Sequence, residues 1–342
     1  MINTLKKITL SVIDLLTDLY WRLGRIIKTD FKTTEKLKQL SNKFSILKRI
    51  SNSLNTNLAS SNKIVSIKIK GGLGNQLFQI QTVLAYGWKH SITPNFKKIK
   101  RSPSRIDTRP VYWDTVFRKL NIIKYRPYNL ILYQEKQRGY KEIPSPKEFP
   151  DFEKSNGIIL NGYFASYKYF NEYREKLLNL AFYVDPLEKE YLQKKYSEVF
   201  SQEKITISLH LRRDDRITHP EKIQNPNLWK TDYYQKSLAF FEKKFGSNNI
   251  KIVVFSTSLE WVKNYLETKF PHLDAIFPQE KDYLELHLMA CCDHQILANS
   301  TFSWWGAYLN INPDKIVIAP KNWADPFYKD YDFIYMDDWI KM

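Results

Sequence analysis

Three times along this chain, a short run of apolar and β-branched residues ends in a cluster of glycine, charged or hydroxyl residues. Ile64-Val65-Ser66-Ile67-Lys68-Ile69 leads into Gly71-Gly72-Leu73-Gly74-Asn75-Gln76-Leu77-Phe78-Gln79 and a helical run from Gln76 through Trp88. Ile205-Thr206-Ile207-Ser208-Leu209 delivers His210-Leu211-Arg212-Arg213-Asp214-Asp215. Gln295-Ile296-Leu297-Ala298 precedes Asn299-Ser300-Thr301-Phe302-Ser303-Trp304-Trp305-Gly306, whose first hydroxyls can cap a helix from about Phe302 to Leu309. Strand, turn and helix repeated in this way predict an α/β chain whose ligands meet the carboxyl ends of the strands. Lys251-Ile252-Val253-Val254-Phe255 and Lys315-Ile316-Val317-Ile318-Ala319 supply further strands with helical stretches between them.

Each cluster carries chemistry and also a plainer alternative. Guanidinium is permanently charged and presents a planar fork that matches phosphate oxygens. Strand alternation predicts that Arg212 shares a face with His210 while Arg213 projects the other way. The alternative for Arg-Arg-Asp-Asp is a solvated, self-neutralising turn. The glycine turn lets backbone approach a ligand beside a helix amino end. Its spacing is neither Gly-x-Gly-x-x-Gly nor a Walker loop, so an ordinary strand-to-helix turn reads equally well. Ser300 and Thr301 are neutral donors for a phosphate at the third helix, or a cap alone. Trp304 and Trp305 read as core aromatics.

Taken together and in this order, the three clusters resemble glycosyltransferase family 11, the α-1,2-fucosyltransferases. Members carry a Gly-Gly-Leu-Gly-Asn-Gln turn, a His-x-Arg-Arg-Gly-Asp motif and an Asn-Ser-Ser-Phe-Ser-Trp-Trp-Gly-Ala run. Asn161-Gly162-Tyr163-Phe164-Ala165-Ser166 and Tyr283-Leu284-Glu285-Leu286-His287-Leu288-Met289-Ala290 add weaker echoes. The resemblance implies an α/β, GT-B-like fold, two Rossmann-like domains facing a cleft, here with an N-terminal helical extension. It implies inverting transfer of L-fucose from GDP-fucose to the 2-hydroxyl of a terminal β-galactoside, with no divalent metal and no other cofactor.

By the same resemblance, Arg213 contacts the diphosphate with Arg212 beside it, and His210 lies by the nucleotide. Ser300 and Thr301 hold phosphate oxygens with Phe302 next to them. Gly72, Gly74, Asn75 and Gln76 reach toward the cleft from the first domain. Asp215 is the motif's carboxylate, open as general base or as the ion-pair partner that fixes Arg213. The alternatives are a transferase using another nucleotide sugar, or a non-catalytic glycan or nucleic-acid binder that keeps the fold.

Two positions depart from the family. Asp214 stands where members have Gly. Val254-Phe255-Ser256-Thr257-Ser258 stands where relatives read Phe-Ser-Asp-Asp, whose aspartate accepts hydrogen bonds from guanine; Thr257 and Ser258 offer only hydroxyls.

The 342 residues allow two domains of roughly 100–150 residues plus an extension. The expected layout is an extension and linker over 1–62, an acceptor-side domain over 63–203 and a donor-binding domain with a tail over 204–342, the last residues able to cross back to the first domain. Twenty-two Tyr, 20 Phe and 9 Trp supply rings for stacking on sugars. The formal charge of +17 raises nucleic-acid binding as a rival. The lysines are scattered and no nucleic-acid-binding motif occurs, so no nucleic-acid partner is expected; a basic surface also attracts a dianionic sugar nucleotide. Cys291 and Cys292 are adjacent, which disfavours their pairing, and two cysteines make no disulfide framework.

Leu5, Ile8, Val12, Leu15, Leu16, Leu19, Leu23, Ile26 and Ile27 recur at helical spacing among Lys6, Lys7, Arg22, Arg25 and Lys28. Asp14 and Asp18 interrupt that apolar run short of the roughly 20 residues that a spanning helix needs. The expectation is a cytoplasmic or peripheral-membrane protein without signal peptide or transmembrane helix. Residues 1–30 are read as touching a membrane surface, a partner or another copy. Asp330-Tyr331-Asp332 reads as part of a solvated acidic tail with Asp337 and Asp338, not as a metal site. The remaining histidines show no zinc spacing.

Overall fold

A computed structural model describes residues 63–104, 107–123, 129–136, 139–213, 217, 227–323 and 332–342. The chain divides into units 1–62 and 63–342. The amphipathic helix and linker expected in the first unit, together with Asp214, Asp215 and Asp330, lie outside the described residues.

The second unit is built on two main parallel sheets, with two short pairs beside them, Phe96–Lys97 parallel to Ile122–Ile123 and Arg101–Pro103 antiparallel to Thr108–Pro110. The first is built from β1 (Ile64–Ile67), β2 (Thr93–Pro94), β3 (Ile131–Gln134) and β4 (Gly157–Asn161), in the order β2-β1-β4-β3. Every pairing is parallel, with Ile64 opposite Thr93 on one side and Gly157 on the other, and Ile131 opposite Ile158. Helix α1 (Leu73–Lys89) follows β1 directly. Helices α2 (Arg174–Leu180) and α3 (Pro186–Lys195) lead onward to the second sheet. Asp185 caps α3 by accepting from Leu187 N, and Pro186 occupies the first turn, where its missing N–H costs nothing.

The second sheet comprises β5 (Ile205–His210), β6 (Ile250–Phe255), β7 (Ala275–Ile276), β8 (His294–Ile296), β9 (Val317–Ala319) and β10 (Ile340–Lys341). Helices α4 (Tyr233–Phe245), α5 (Leu259–Lys269), α6 (Asp282–Cys291) and α7 (Thr301–Leu309) alternate with its strands. Its order, β7-β6-β5-β8-β9-β10, is the doubly wound 3-2-1-4-5-6 arrangement, parallel throughout. The strands read as continuous apolar runs because both faces are covered: all four residues of β1 and five of six in both β5 and β6 are buried.

The α/β, GT-B-like reading with two Rossmann-like sheets therefore holds, and the expected strands and helices fall within a few residues of where the periodicity set them. Phe78 of α1 joins the halves, its ring 4.5 Å from Trp304 and 5.0 Å from Trp305. Both tryptophans are fully buried, as their reading as core required.

One expectation fails. The described part of the carboxyl-terminal segment is not a solvated tail. Ile334, Tyr335 and Trp339 are buried, the Trp304 indole donates to Ile334 O, and Ser166 Oγ donates to Phe333 O at 2.8 Å. Asp332 accepts from Lys341, and Asp337 accepts from the Tyr167 hydroxyl. The chain thus touches the first half and returns to add β10 to the second sheet. Apolar side chains between the aspartates outweigh the acidic composition that suggested a solvated tail. No described helix is long and apolar enough to cross a membrane.

Candidate active site

In doubly wound sheets the ligand crevice lies where the strand order reverses, because connections leaving neighbouring strands to opposite faces open a gap at their carboxyl ends. In the second sheet that point lies between β5 and β8. The chain leaves β5 as His210-Leu211-Arg212-Arg213 and leaves β8 toward Asn299-Ser300, so motifs about 90 residues apart in sequence emerge side by side. In the first sheet the reversal lies between β1 and β4. There the glycine turn leaves one strand and Asn161-Gly162-Tyr163 leaves the other.

The alternation expected beyond β5 is present. The His210 ring lies 5.7 Å from the Phe302 ring, and Arg212 Nη1 donates to Ser300 Oγ at 3.3 Å. Both therefore face the start of α7. The Arg213 guanidinium instead stands 4.6 Å over the Trp261 ring in the first turn of α5. The β5 backbone is held beneath them by Tyr234, whose hydroxyl donates to His210 O at 3.0 Å.

At the start of α7, Ser300 Oγ accepts from Phe302 N at 3.3 Å, the cap that its sequence position predicted. Ser300 is buried, whereas Thr301 and Phe302 are half-buried. An arginine beside a capped amino end, with partially positive N–H groups on the same side, is an arrangement suited to an oxyanion. Asn299, which also reads as a glycosylation acceptor, is only 2% exposed.

The glycine turn is held from below. Gly71 adopts φ +81°, a backbone region that disfavours other residues. Gln76, 0% exposed, donates through Nε2 to Gly71 O at 3.0 Å, Ser102 Oγ at 3.1 Å and Pro110 O at 2.9 Å. Gln79 brackets Lys70, accepting from its N–H and donating to its carbonyl. Gly74 packs against the backbone of Thr301 and Phe302. Gln76 and Gly74 therefore shape the turn from inside it, and Gln76 is turned inward where the family resemblance implied that it reaches toward the cleft. Gly72 has open space at its Cβ position, and Asn75 is half-buried. Lys70 adds a cation nearby, its ammonium 4.7 Å over the Tyr163 ring and 3.5 Å from Asn161 Oδ1.

Sequence reading missed Trp261, Lys70 with Tyr163, and Asp282 with Tyr112. Burial pushes the Asp282 carboxyl upward, while the Tyr112 hydroxyl, the Tyr283 N–H and nearby Arg109 pull it down. Nothing local marks such pairs, because their partners are distant in sequence. A cavity of about 630 Å³ lined by Lys204, Lys244, Asp293 and His294 among others opens at the amino-terminal edge of the second sheet. It lies at the opposite edge from His210 and Ser300.

Two parallel α/β sheets, each presenting a motif at its strand-order reversal, are the GT-B arrangement of glycosyltransferases. The chain belongs to glycosyl transferase family 11, whose model matches residues 27–342. It is similar to the O-antigen biosynthesis glycosyltransferase WbnK of Escherichia coli, 34% identical over 194 residues, covering 55% of this chain and 61% of that protein, less than two thirds of its length. It is also similar to an alpha-1,2-colitosyltransferase of Escherichia coli, 28% identical over 77% of this chain and 93% of the relative. A third relative is galactoside alpha-(1,2)-fucosyltransferase 2 of Pongo pygmaeus, 26% identical over 78% and 75%. Among solved structures, fucosyltransferase NodZ from Bradyrhizobium aligns with a TM-score of 0.46 at 13% identity, covering 72% of this chain and 92% of that one. POFUT1 in complex with GDP aligns with a TM-score of 0.49 at 17% identity, covering 74% and 96%.

Proposed function

We propose that this protein transfers L-fucose from GDP-fucose to the 2-hydroxyl of a terminal β-galactoside, with inversion and without a divalent metal. The observation that carries the reading is the convergence of Arg212 and the α7 amino end on the Ser300 hydroxyl, with the glycine turn packed against that same helix start. Breaking the bond between fucose C1 and the phosphate oxygen develops oxocarbenium character on the sugar and negative charge on the departing GDP. Cations and N–H groups fixed where that charge appears stabilise the transition state without reorganising. Arg212 and Arg213 are assigned to the diphosphate, Ser300 and Thr301 to its oxygens, and His210 with Phe302 to the nucleotide side. Gly72 and Asn75 approach from the first sheet. The galactose hydroxyl attacks from the face opposite the leaving group, and a carboxylate such as Asp215 accepts its proton.

A second reading keeps the fold, the arginines and the linkage but changes the sugar. The likeness to a colitosyltransferase across 93% of that protein favours it.

Calorimetric titration with GDP, UDP and CDP in the presence of EDTA tests the donor, followed by transfer from GDP-fucose to a β-galactoside. Selective GDP binding and fucose transfer are expected. GDP binding without fucose transfer turns the assignment to another GDP-sugar, and binding of a different nucleotide overturns it.

A further inference from the structure

Beside Arg213 an aromatic ladder runs away from the arginine motif. Trp261, under the guanidinium, stacks on Tyr265 at 5.0 Å and meets Trp229 edge to face at 5.4 Å. Trp229 belongs to the short 3₁₀ turn Leu228–Lys230, which leads into α4 and is anchored by the buried Leu228. Asn227 occupies the cap position of that turn, yet its side chain makes no capping bond, although that is the ordinary local use of asparagine there.

Two complementary groups are left over on this segment. Asn227 Oδ1, an acceptor, and Trp229 Nε1, a donor, are each shielded from water, and neither has a hydrogen-bond partner. A buried indole N–H ordinarily finds an acceptor, and a buried amide oxygen ordinarily finds a donor. Their place is informative as well. Trp261 follows the Ser256-Thr257-Ser258 turn at the carboxyl end of β6, the strand next to β5. A nucleotide with its phosphates at Ser300 and Arg212 extends its base along this edge of the sheet. The turn itself is poorly equipped to read a base, because Ser256 Oγ is engaged by Ser258 N at 3.2 Å and Thr257 offers only a hydroxyl.

We propose that Asn227 and Trp229 read the edge of the donor's nucleobase, the amide oxygen accepting from a base N–H and the indole N–H donating to the neighbouring base acceptor. Guanine presents N1–H and N2–H beside O6, which complements this pair; the choice of guanine rests on the GDP-sugar reading above. Asn227 and Trp229 are then specificity-determining residues, and the carboxylate absent at Thr257 and Ser258 is replaced from a different segment.

The test is calorimetric titration of the full chain and of two variants, Asn227→Ala and Trp229→Phe, with GDP, IDP and UDP, alongside thermal melting of each unliganded protein. Each variant is expected to lose GDP affinity by about tenfold, and wild type is expected to prefer GDP to IDP, which lacks the N2 donor. Melting should be unchanged for Asn227→Ala, whose Oδ1 has no hydrogen bond to lose, and at most slightly lowered for Trp229→Phe, which gives up part of the ring contact with Trp261. Variants that bind GDP as tightly as wild type overturn the proposal, and so do variants that both melt far below wild type, which would make the role structural. If wild type binds UDP in place of GDP and the variants lose that affinity, the base-reading role stands while the GDP-sugar reading falls. Failure of wild type to bind any of the three removes both.

Discussion

Gly74 and Thr301 meet backbone to backbone: a Cβ added to the glycine would stand 2.6 Å from the Thr301 carbonyl carbon and 2.7 Å from the Phe302 nitrogen. Neither neighbour is a flexible side chain that could swing aside. Two helix starts, one from each half of the described unit, are therefore pressed together at the proposed donor site. Gly74→Ala must push α1 and α7 apart, at a cost of about 1–3 kcal/mol. The expected result is a melting temperature lowered by a few degrees, together with weaker nucleotide binding, since the α7 amino end moves with Thr301. Wild-type melting and binding in this variant would show that the contact relaxes freely.

Arg212 and Arg213 are both assigned to the diphosphate but face different surroundings, Ser300 and Trp261, so a conservative variant of each tests its assignment separately. In Arg212→Lys and Arg213→Lys the charge stays while the planar fork is lost. For each we expect kcat/KM to fall on the order of 10²–10³ with little change in melting temperature. Steady-state transfer assays read the loss. An arginine whose variant turns over at the wild-type rate leaves the mechanism.

Gln76 holds three acceptors at once, the carbonyls of Gly71 and Pro110 and the Ser102 hydroxyl. Gln76→Leu removes a buried donor from Pro110 O, while Gly71 O keeps the Ser102 hydroxyl at 2.7 Å; the cost is about 1–3 kcal/mol. A lower urea midpoint at unchanged slope is the expected signature. An unmoved midpoint would mean that the turn keeps its shape without the amide.

Glu285 supplies a pH dependence. Burial, reinforced by the nearby charges of Asp282 and Glu280, pushes its carboxyl up to about 7, although Glu280 N–H donates to it. A carboxyl raised in the folded state is bound to its proton more readily there than in the unfolded chain. Its stabilising contribution is therefore complete below the unfolded value and is lost as pH rises through about 7. Glu285→Gln removes this slope, so urea unfolding near pH 8 should show the variant more stable than wild type, with the two converging near pH 5. Equal stability at both conditions would rule out a buried titrating carboxyl there.

Much of this architecture is legible from local pattern alone. The runs at Ile64, Ile205 and Lys251 announce strands because apolar and β-branched residues cluster there and turn residues bound them. Ser300 announces a helix start because its hydroxyl can cap Phe302. Opposite projection of Arg212 and Arg213 follows from strand geometry, and the structure puts one against Ser300 and the other over Trp261. Those readings succeed because they depend on neighbours within a few residues.

What the chain order could not disclose is which distant groups meet. Gln76 looks like a residue aimed at the cleft until Ser102 and Pro110 close over it. The acidic residues near the carboxyl terminus look solvated until Trp304 and Ser166 hold the backbone between them. Asn227 and Trp229 carry no motif, and only the packing of Trp229 on Trp261 brings them beside the arginine cluster. Local covalent spacing sets strand, turn and cap, and it lies wholly within the sequence. Partnership between groups far apart in the chain is set by how two sheets and their helices exclude water, and that is decided only when the chain folds.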